Sequence, residues 1–207
     1  MNQKLIILDL GANDGCSVLK FQEILKQHSN IDYHIYSFEP NPFFKERLTQ
    51  LENKYENVKV IMKIAGTKNN TTNLYLSQGN NDGSSVFSDK MTNKISKNVY
   101  IEVEELDIAE FIEGLPEHDL LWVKMDIEGG EYEIIPHLSK NHCLGKINKL
   151  FIEWHHKKIR SVSQQMHNNC INMVKNIDTE IWDALSYSDQ SNNAKSEYKS
   201  FLKNLRS

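Results

Sequence analysis

Residues Leu8 to Gly15 read LDLGANDG, a glycine-punctuated turn directly after an apolar run. Glycine at positions 11 and 15 permits a tight turn and lets a ligand approach the backbone closely. A helix starting there would present free N–H groups, which favour a negatively charged ligand group. Glu39 follows 24 residues after Gly15, at the end of the next apolar run. An acid at that point of a strand–helix–strand unit accepts both ribose hydroxyls, because a carboxylate offers two oxygens at the required span. The pair implies a nucleoside-like ligand. The dinucleotide fingerprint G-x-G-x-x-G is not met, since Gly11, Asn13 and Gly15 spell G-x-N-x-G. Hydride transfer from a nicotinamide cofactor is therefore disfavoured.

Two further clusters have residue types suited to moving a proton. Asp126 and Glu128 close the apolar run Leu120 to Met125, and Glu153 and His155 close the run Leu150 to Trp154. If the first segment stays extended, Lys124, Asp126 and Glu128 share one face, as do Glu153 and His155 in the second. His155 or Asp126 could take the proton of a hydroxyl. Alternatively, Asp126, Glu153 and His155 could hold a divalent ion that lowers the pKa of a bound oxygen, although no metal is predicted. Polar strand ends that merely satisfy helix N-termini would look the same. His156 should point away from its neighbour. Asp82, Ser84 and Ser85 lie in a polar loop that is either near the site or only a surface loop, and Trp122 and Trp154 read as core.

The elements needed to bring these clusters together are legible as alternating short apolar runs and helix-period segments. Strands are expected at Leu5 to Leu10, Tyr33 to Phe38, Val58 to Ile64, Leu120 to Met125 and Leu150 to Trp154. Helices are expected from Cys16 to Gln27, after Pro42 (Phe43, Phe44, Leu48, Leu51), after Asp107, which could cap one, and after Gly130 despite Pro136. Ser161 to Ile177 reads as a helix with Val162, Met166, Cys170, Met173 and Val174 inward. Thr72 to Leu76 and Val99 to Val103 alternate, and Ser77 to Ser85 between them is loop. Thr179 to Leu185 would be an edge strand. The expected fold class is α/β, with a mostly parallel central sheet and helices on both faces. Ligands of such sheets bind beyond the carboxyl ends of the strands, where all four clusters would lie.

LDLGANDG, YSFEPNP (Tyr36 to Pro42), VKMDIEGGEYEII (Val123 to Ile135) and FIEWH (Phe151 to His155) resemble, in this order, the motifs of FkbM-type methyltransferases. The resemblance covers roughly residues 5 to 156. It implies a Rossmann-like class I methyltransferase domain over 1–185, followed by a polar C-terminal helix or tail over 186–207. It also implies S-adenosylmethionine as cofactor, and O-methylation of a sugar, glycan or other small metabolite. The implied cofactor shell is Asp9, Gly11, Asn13, Asp14, Gly15, Glu39, Pro40, Ala65 and Asp126, with Asp9 receiving the cofactor's ammonium group. Asp126, Glu128, Glu153 and His155 are the implied catalytic set. Two alternatives are ribose 2′-O methylation of RNA and a non-catalytic S-adenosylmethionine-binding subunit.

Composition narrows the classes further. Hydrophobic residues make up 39% of the 207 and charged residues 25%, which suits one packed domain rather than a disordered chain. A net charge of −4 argues against gripping duplex nucleic acid through its phosphates. The short basic run Lys157, Lys158 and Arg160 reads as a solvated helix start. Cys16, Cys143 and Cys170 are far apart and have no zinc spacing, which suits a reducing compartment. No apolar run approaches the ~20 residues that span a bilayer, and Asp9 interrupts any signal-like segment. A cytoplasmic protein acting on a small-molecule or glycan acceptor is expected, without a membrane partner. No stripe of residues specifies an oligomeric state.

Overall fold

The apolar run that precedes the glycine turn forms β1 (Gln3–Leu10), and its side chains alternate between two separate cores. Leu5 and Ile7 enter one core, with Val18, Phe21 and Leu25 of α1 (Cys16–Leu25) and Leu48 and Leu51 of α2 (Lys45–Lys54). Ile6, Leu8 and Leu10 enter the other. That core is closed by α3 (Ile108–Glu113), α4 (Glu131–Lys140) and α5 (Gln164–Val174). The period of two along a strand makes β1 apolar on both faces, as a strand buried in a parallel sheet must be. The computed structural model describes residues 2–78 and 83–182. Asp82, the final residues of the expected last strand and the 186–207 tail lie outside the described residues.

β1 is flanked by β2 (Ile31–Phe38) and β7 (Leu120–Met125) in a six-stranded sheet of order β3-β2-β1-β7-β8-β9. The remaining strands are β3 (Val58–Ile61), β8 (Lys149–Ile152) and β9 (Asp178–Ile181), and every pairing in the sheet is parallel. The chain runs from β1 outward to β3 and then returns to add β7 on the other side. This reversal puts the topological switch point between β1 and β7, where the two strand ends diverge and leave a crevice. The fold is α/β and Rossmann-like.

Two expectations about elements need correction. Val58 to Ile64 is not one strand. It breaks at Met62–Lys63 into β3 and β4 (Ile64–Gly66), and β4 joins a second sheet of order β4-β6-β5. There it pairs in parallel with β6 (Tyr100–Asp107), which pairs antiparallel with β5 (Asn70–Tyr75). This small sheet lies, in sequence, between β3 and β7, so it is inserted at the switch point. The inner face of α5 also differs. Ser163 caps the helix by accepting from the Met166 amide, and the buried residues are His167, Cys170 and Val174. Met166 and Met173, expected inward, are each 41% exposed. Positions 167, 170 and 174 form one stripe at helical spacing, and 166 and 173 fall beside it.

Asp107 caps α3 as expected, accepting from the amides of Ala109 and Glu110. Among the described residues no helix is long and apolar enough to cross a membrane.

Candidate active site

The carboxyl ends of β1, β2, β7 and β8 open into a cavity of about 350 Å³. Gly11, Asn13, Asp14, Glu39, Pro40, Ala65, Asp126, Glu128 and Glu153 all line it, so the structure brings these expected site residues together. Asp9, Gly15 and His155 stand behind the lining.

The glycine turn is shaped by the protein itself. Gly11 and Gly15 adopt φ of 84° and 83°, and Asn13 adopts 50°. A Cβ on Gly11 would collide with the carbonyl oxygen of Asp126, and one on Gly15 with Leu51 Cδ1. Close approach is thus demanded by β7 and α2 packing against the turn, and not solely by a ligand. Gly15→Ala is expected to lose roughly 1–3 kcal/mol of stability, the cost of a left-handed backbone for a residue with a side chain. Urea denaturation would check this, an unchanged midpoint counting against it.

Glu39 is 7% exposed at the end of β2. Its Oε2 accepts from the Asn13 amide at 2.9 Å and its Oε1 from the Asn41 amide at 2.8 Å. The acid therefore ties the glycine turn to the β2 end. Burial raises its pKa from 4.5 to about 7, against the lowering effect of these two N–H groups and of Lys124.

Asp9 and Asp14 each have partners within the protein. Asp9 is fully buried; its Oδ2 accepts from Ser17 Oγ at 2.6 Å, and its Oδ1 lies 3.4 Å from Lys124 Nζ. Lys124 thus stands where an ammonium group of a ligand was expected. Its Nζ also donates to Gly11 O at 2.6 Å and lies 3.8 Å from Asp126 Oδ2. Burial alone would lower the pKa of this lysine, but Asp9 and Asp126 raise it overall. Asp14 accepts from the Cys16 amide at the start of α1 and faces Arg47 at 3.4 Å. Its carboxylate is thereby held at the helix start, where it lines the cavity.

His155 is the hub of the reaction end. It is fully buried, with Nδ1 2.7 Å from Glu131 Oε1. Its Nε2 lies 3.3 Å from Glu128 Oε2, 3.3 Å from Glu153 Oε1 and 3.7 Å from Asp126 Oδ1. Burial would depress the imidazole pKa, yet Glu131, Glu153 and Glu128 raise it to about 10. Burial raises Asp126 to about 6, against Lys124 and His155, which lower it. Glu128 is disfavoured as an anion by burial, but His155 and Lys90 bring its pKa below the ordinary value. Burial likewise opposes the Glu153 anion, and His155 and Lys158 overcome it, lowering the pKa to about 2.

The route by which Glu128 reaches this hub is not the extended alternation expected. β7 ends at Met125, and Glu128 enters through a left-handed turn with φ of 55°. Ser85 Oγ donates to the Glu128 carbonyl at 2.7 Å, and Lys90 Nζ donates to its Oε2 at 2.6 Å. The loop carrying Ser84 and Ser85 is therefore fastened onto the turn, and Ser84 lines the cavity. Among the described residues, the group with donor atoms close enough for one metal ion is Asp126, Glu128 and His155, all within 4.8 Å of one another. This corrects the expected set of Asp126, Glu153 and His155. Glu153 falls outside that group, its Oε1 lying 2.9 Å from Lys158 Nζ and 3.3 Å from His155 Nε2.

Lys158 is itself a correction, since it lines the cavity instead of being only part of a solvated helix start. Lys90, Glu131 and Trp182 were not singled out by sequence reasoning. Glu131 had one local signal, the E-G-G-E spacing at a helix start, while Lys90 and Trp182 had none. His156 does point away, stacking on His167 at 3.7 Å. Trp122 and Trp154 pack against opposite cores.

The model of the methyltransferase FkbM domain matches residues 9–187. Among solved structures, an FkbM methyltransferase from Methylobacillus flagellatus KT aligns over 83% of this chain with a TM-score of 0.52 and 14% identity. The chain spans 37% of that protein's length. The fibrillarin/Nop5p complex also aligns, with a TM-score of 0.42 and 13% identity over 84% of this chain and 61% of that one. No curated protein matches. At 14% identity the likeness to the FkbM structure speaks to the fold, whereas the domain match spans most of the sequence. The chain belongs to the FkbM methyltransferase family.

Proposed function

We propose that this chain is an S-adenosylmethionine-dependent O-methyltransferase whose acceptor is a hydroxyl of a sugar, glycan or other small metabolite. The observation that carries this reading is the cavity at the switch point, lined by Glu39 from the β2 end and by Asp126 from the β7 end. Its volume lies within the usual range for small-ligand sites. Each Glu39 oxygen accepts one backbone N–H and has a second lone pair, as two ribose hydroxyls require. The Gly11–Asp14 turn and the start of α1 would bracket the amino-acid portion, and Pro40 and Ala65 would flank the nucleoside.

When bound, the cofactor supplies an electrophilic methyl group on a sulfonium centre. Asp14, Glu39, Glu105, Asp126, Glu128, Glu133 and Glu153 line the cavity against Lys63, Lys124 and Lys158. This excess of carboxylates suits a cationic sulfonium and a neutral polyhydroxyl acceptor, and it repels a phosphodiester backbone. Ribose 2′-O methylation of RNA is correspondingly disfavoured. Asp126 orients the acceptor hydroxyl by accepting its hydrogen. The same carboxylate would receive the proton that the hydroxyl loses on methylation. Lys124 holds both Asp126 and the Gly11 carbonyl, so it keeps the two ends of the cavity in register.

Glu39→Gln tests the cofactor assignment. At pH 8, calorimetric titration with S-adenosylmethionine should give affinity at least tenfold weaker than wild type, about 1.4 kcal/mol. The wild-type affinity should fall about tenfold from pH 8 to pH 6, because protonation near pH 7 competes with ribose binding. The Gln variant should lack that component. The folded pKa of Glu39 is raised, so its contribution to stability is present below pH 4.5 and lost as pH rises through about 7. Equal cofactor affinity in the two proteins would remove the assignment.

A further inference from the structure

We propose that Asp126, Glu128 and Nε2 of His155 form a divalent-cation site that takes a hard ion such as Mn²⁺ or Mg²⁺ and offers it to the acceptor oxygen. The role in catalysis rests on the methyl-transfer reading above; the existence of the site does not.

Three independent features support it. The first is the unused ring nitrogen. Nδ1 of His155 donates to the buried carboxylate of Glu131 at 2.7 Å, so Nε2 is the nitrogen that gives an electron pair to an ion once its own proton is lost. Nε2 belongs to a fully buried side chain and makes no hydrogen bond of good geometry, although carboxylate oxygens of Glu128, Glu153 and Asp126 face it at 3.3, 3.3 and 3.7 Å. A carboxylate backing a histidine whose other nitrogen points into a group of carboxylates is the usual outer shell of a metal-bound imidazole. The ion takes the place of the Nε2 proton that these carboxylates otherwise favour.

The second feature is spacing. An ion with bonds of about 2.1 Å places neighbouring ligand atoms roughly 3.0 Å apart and opposite ones roughly 4.2 Å apart. The three donor atoms lie within 4.8 Å of one another, so small side-chain adjustments bring them onto one ion. Mixed carboxylate and imidazole donors suit Mn²⁺ better than a thiolate-seeking ion.

The third feature is charge. Salt bridges link Asp9, Asp126, Glu128, Glu131 and Glu153 with Lys90, Lys124, Lys158 and His155 into one network. With a neutral imidazole, five carboxylates face three ammonium groups and leave two negative charges, which one divalent ion cancels. Lys90 and Lys158 hold Glu128 and Glu153 from outside the cluster, and Glu153 lies outside the group whose donor atoms can meet on one ion. The bound ion would polarise the acceptor hydroxyl, while the second Asp126 oxygen, Oδ2 on the Lys124 side, takes its proton.

The test is titration of the full chain with MnCl₂, without cofactor or acceptor, reading free Mn²⁺ by electron paramagnetic resonance. One saturable Mn²⁺ per chain is expected. Asp126→Asn and Glu128→Gln should each weaken it at least tenfold, and Glu153→Gln should stay within threefold of wild type. These variants are chosen because removing the fully buried His155 can unfold the protein. No saturable binding up to millimolar Mn²⁺, or wild-type binding in both Asp126→Asn and Glu128→Gln, overturns the site. S-adenosylmethionine is titrated separately into the wild-type chain. Cofactor binding without Mn²⁺ binding would sink the cation site alone, whereas Mn²⁺ binding without cofactor binding would sink only the methyl-transfer reading.

Discussion

Replacing Asp126 by Asn is expected to lower kcat for methyl transfer by roughly 10²–10⁴-fold, the range associated with losing a positioned proton acceptor. The amide keeps the size of the side chain, so the β7 end and the Gly11 carbonyl contact with Lys124 should survive. Asp126 is the acid best placed for this role, because it follows the last residue of β7 at the switch point and lines the cavity. Glu153 is committed to Lys158, and Glu128 to Lys90, at 2.9 and 2.6 Å. The expected signature is a fall in kcat with the S-adenosylmethionine affinity within threefold of wild type. Steady-state kinetics with a polyhydroxyl acceptor and calorimetry on the same protein would measure both. A variant that retains more than a tenth of wild-type kcat would show that another group accepts the proton.

Lys124→Met is expected to cost the protein about 3–5 kcal/mol of stability, the range seen when one partner of a buried ion pair is removed. Lys124 is 2% exposed, and the Asp9 carboxylate beside it is wholly buried. Asp9 Oδ1 has no hydrogen-bond partner, so the lysine charge is what compensates it. Methionine fills similar volume but leaves that carboxylate charged in an apolar interior. Adding Asp9→Asn should recover a large part of the loss, because the uncompensated charge is then gone. A double-mutant cycle in urea would read the coupling between the two positions directly. The raised pKa of Lys124 means its stabilisation is present throughout neutral pH and fails only as pH rises past its folded value. If the single variant loses less than about 1 kcal/mol, Lys124 does not clamp the site in the way its contacts imply.

Much of this protein was legible before any coordinates. Leu5 to Leu10, Tyr33 to Phe38 and Leu120 to Met125 announce parallel strands by their mainly apolar character. Once those strands are parallel and adjacent, their carboxyl ends must share one edge. Asn13, Glu39 and Asp126 therefore converge although 26 and 87 residues separate them in turn. Local residue types and a simple topological rule were sufficient for this, because each residue sits within a few positions of a strand end.

What the tertiary structure alone decided are the partners of those groups. Gly11 and Gly15 are required by Asp126 and Leu51, which lie far off in sequence. Asp9 is answered by Lys124, and Glu128 by Lys90, across 115 and 38 residues. The break at Met62–Lys63, which sends β4 into a second sheet, likewise depends on pairing with β6 some 40 residues later. Buried charges must find opposite charges wherever the fold brings them, and no periodicity along the chain encodes that choice. The spacing of residues determined which edge of the sheet carries the site; packing determined which ionisable groups on that edge are held by the protein and which remain available to a ligand.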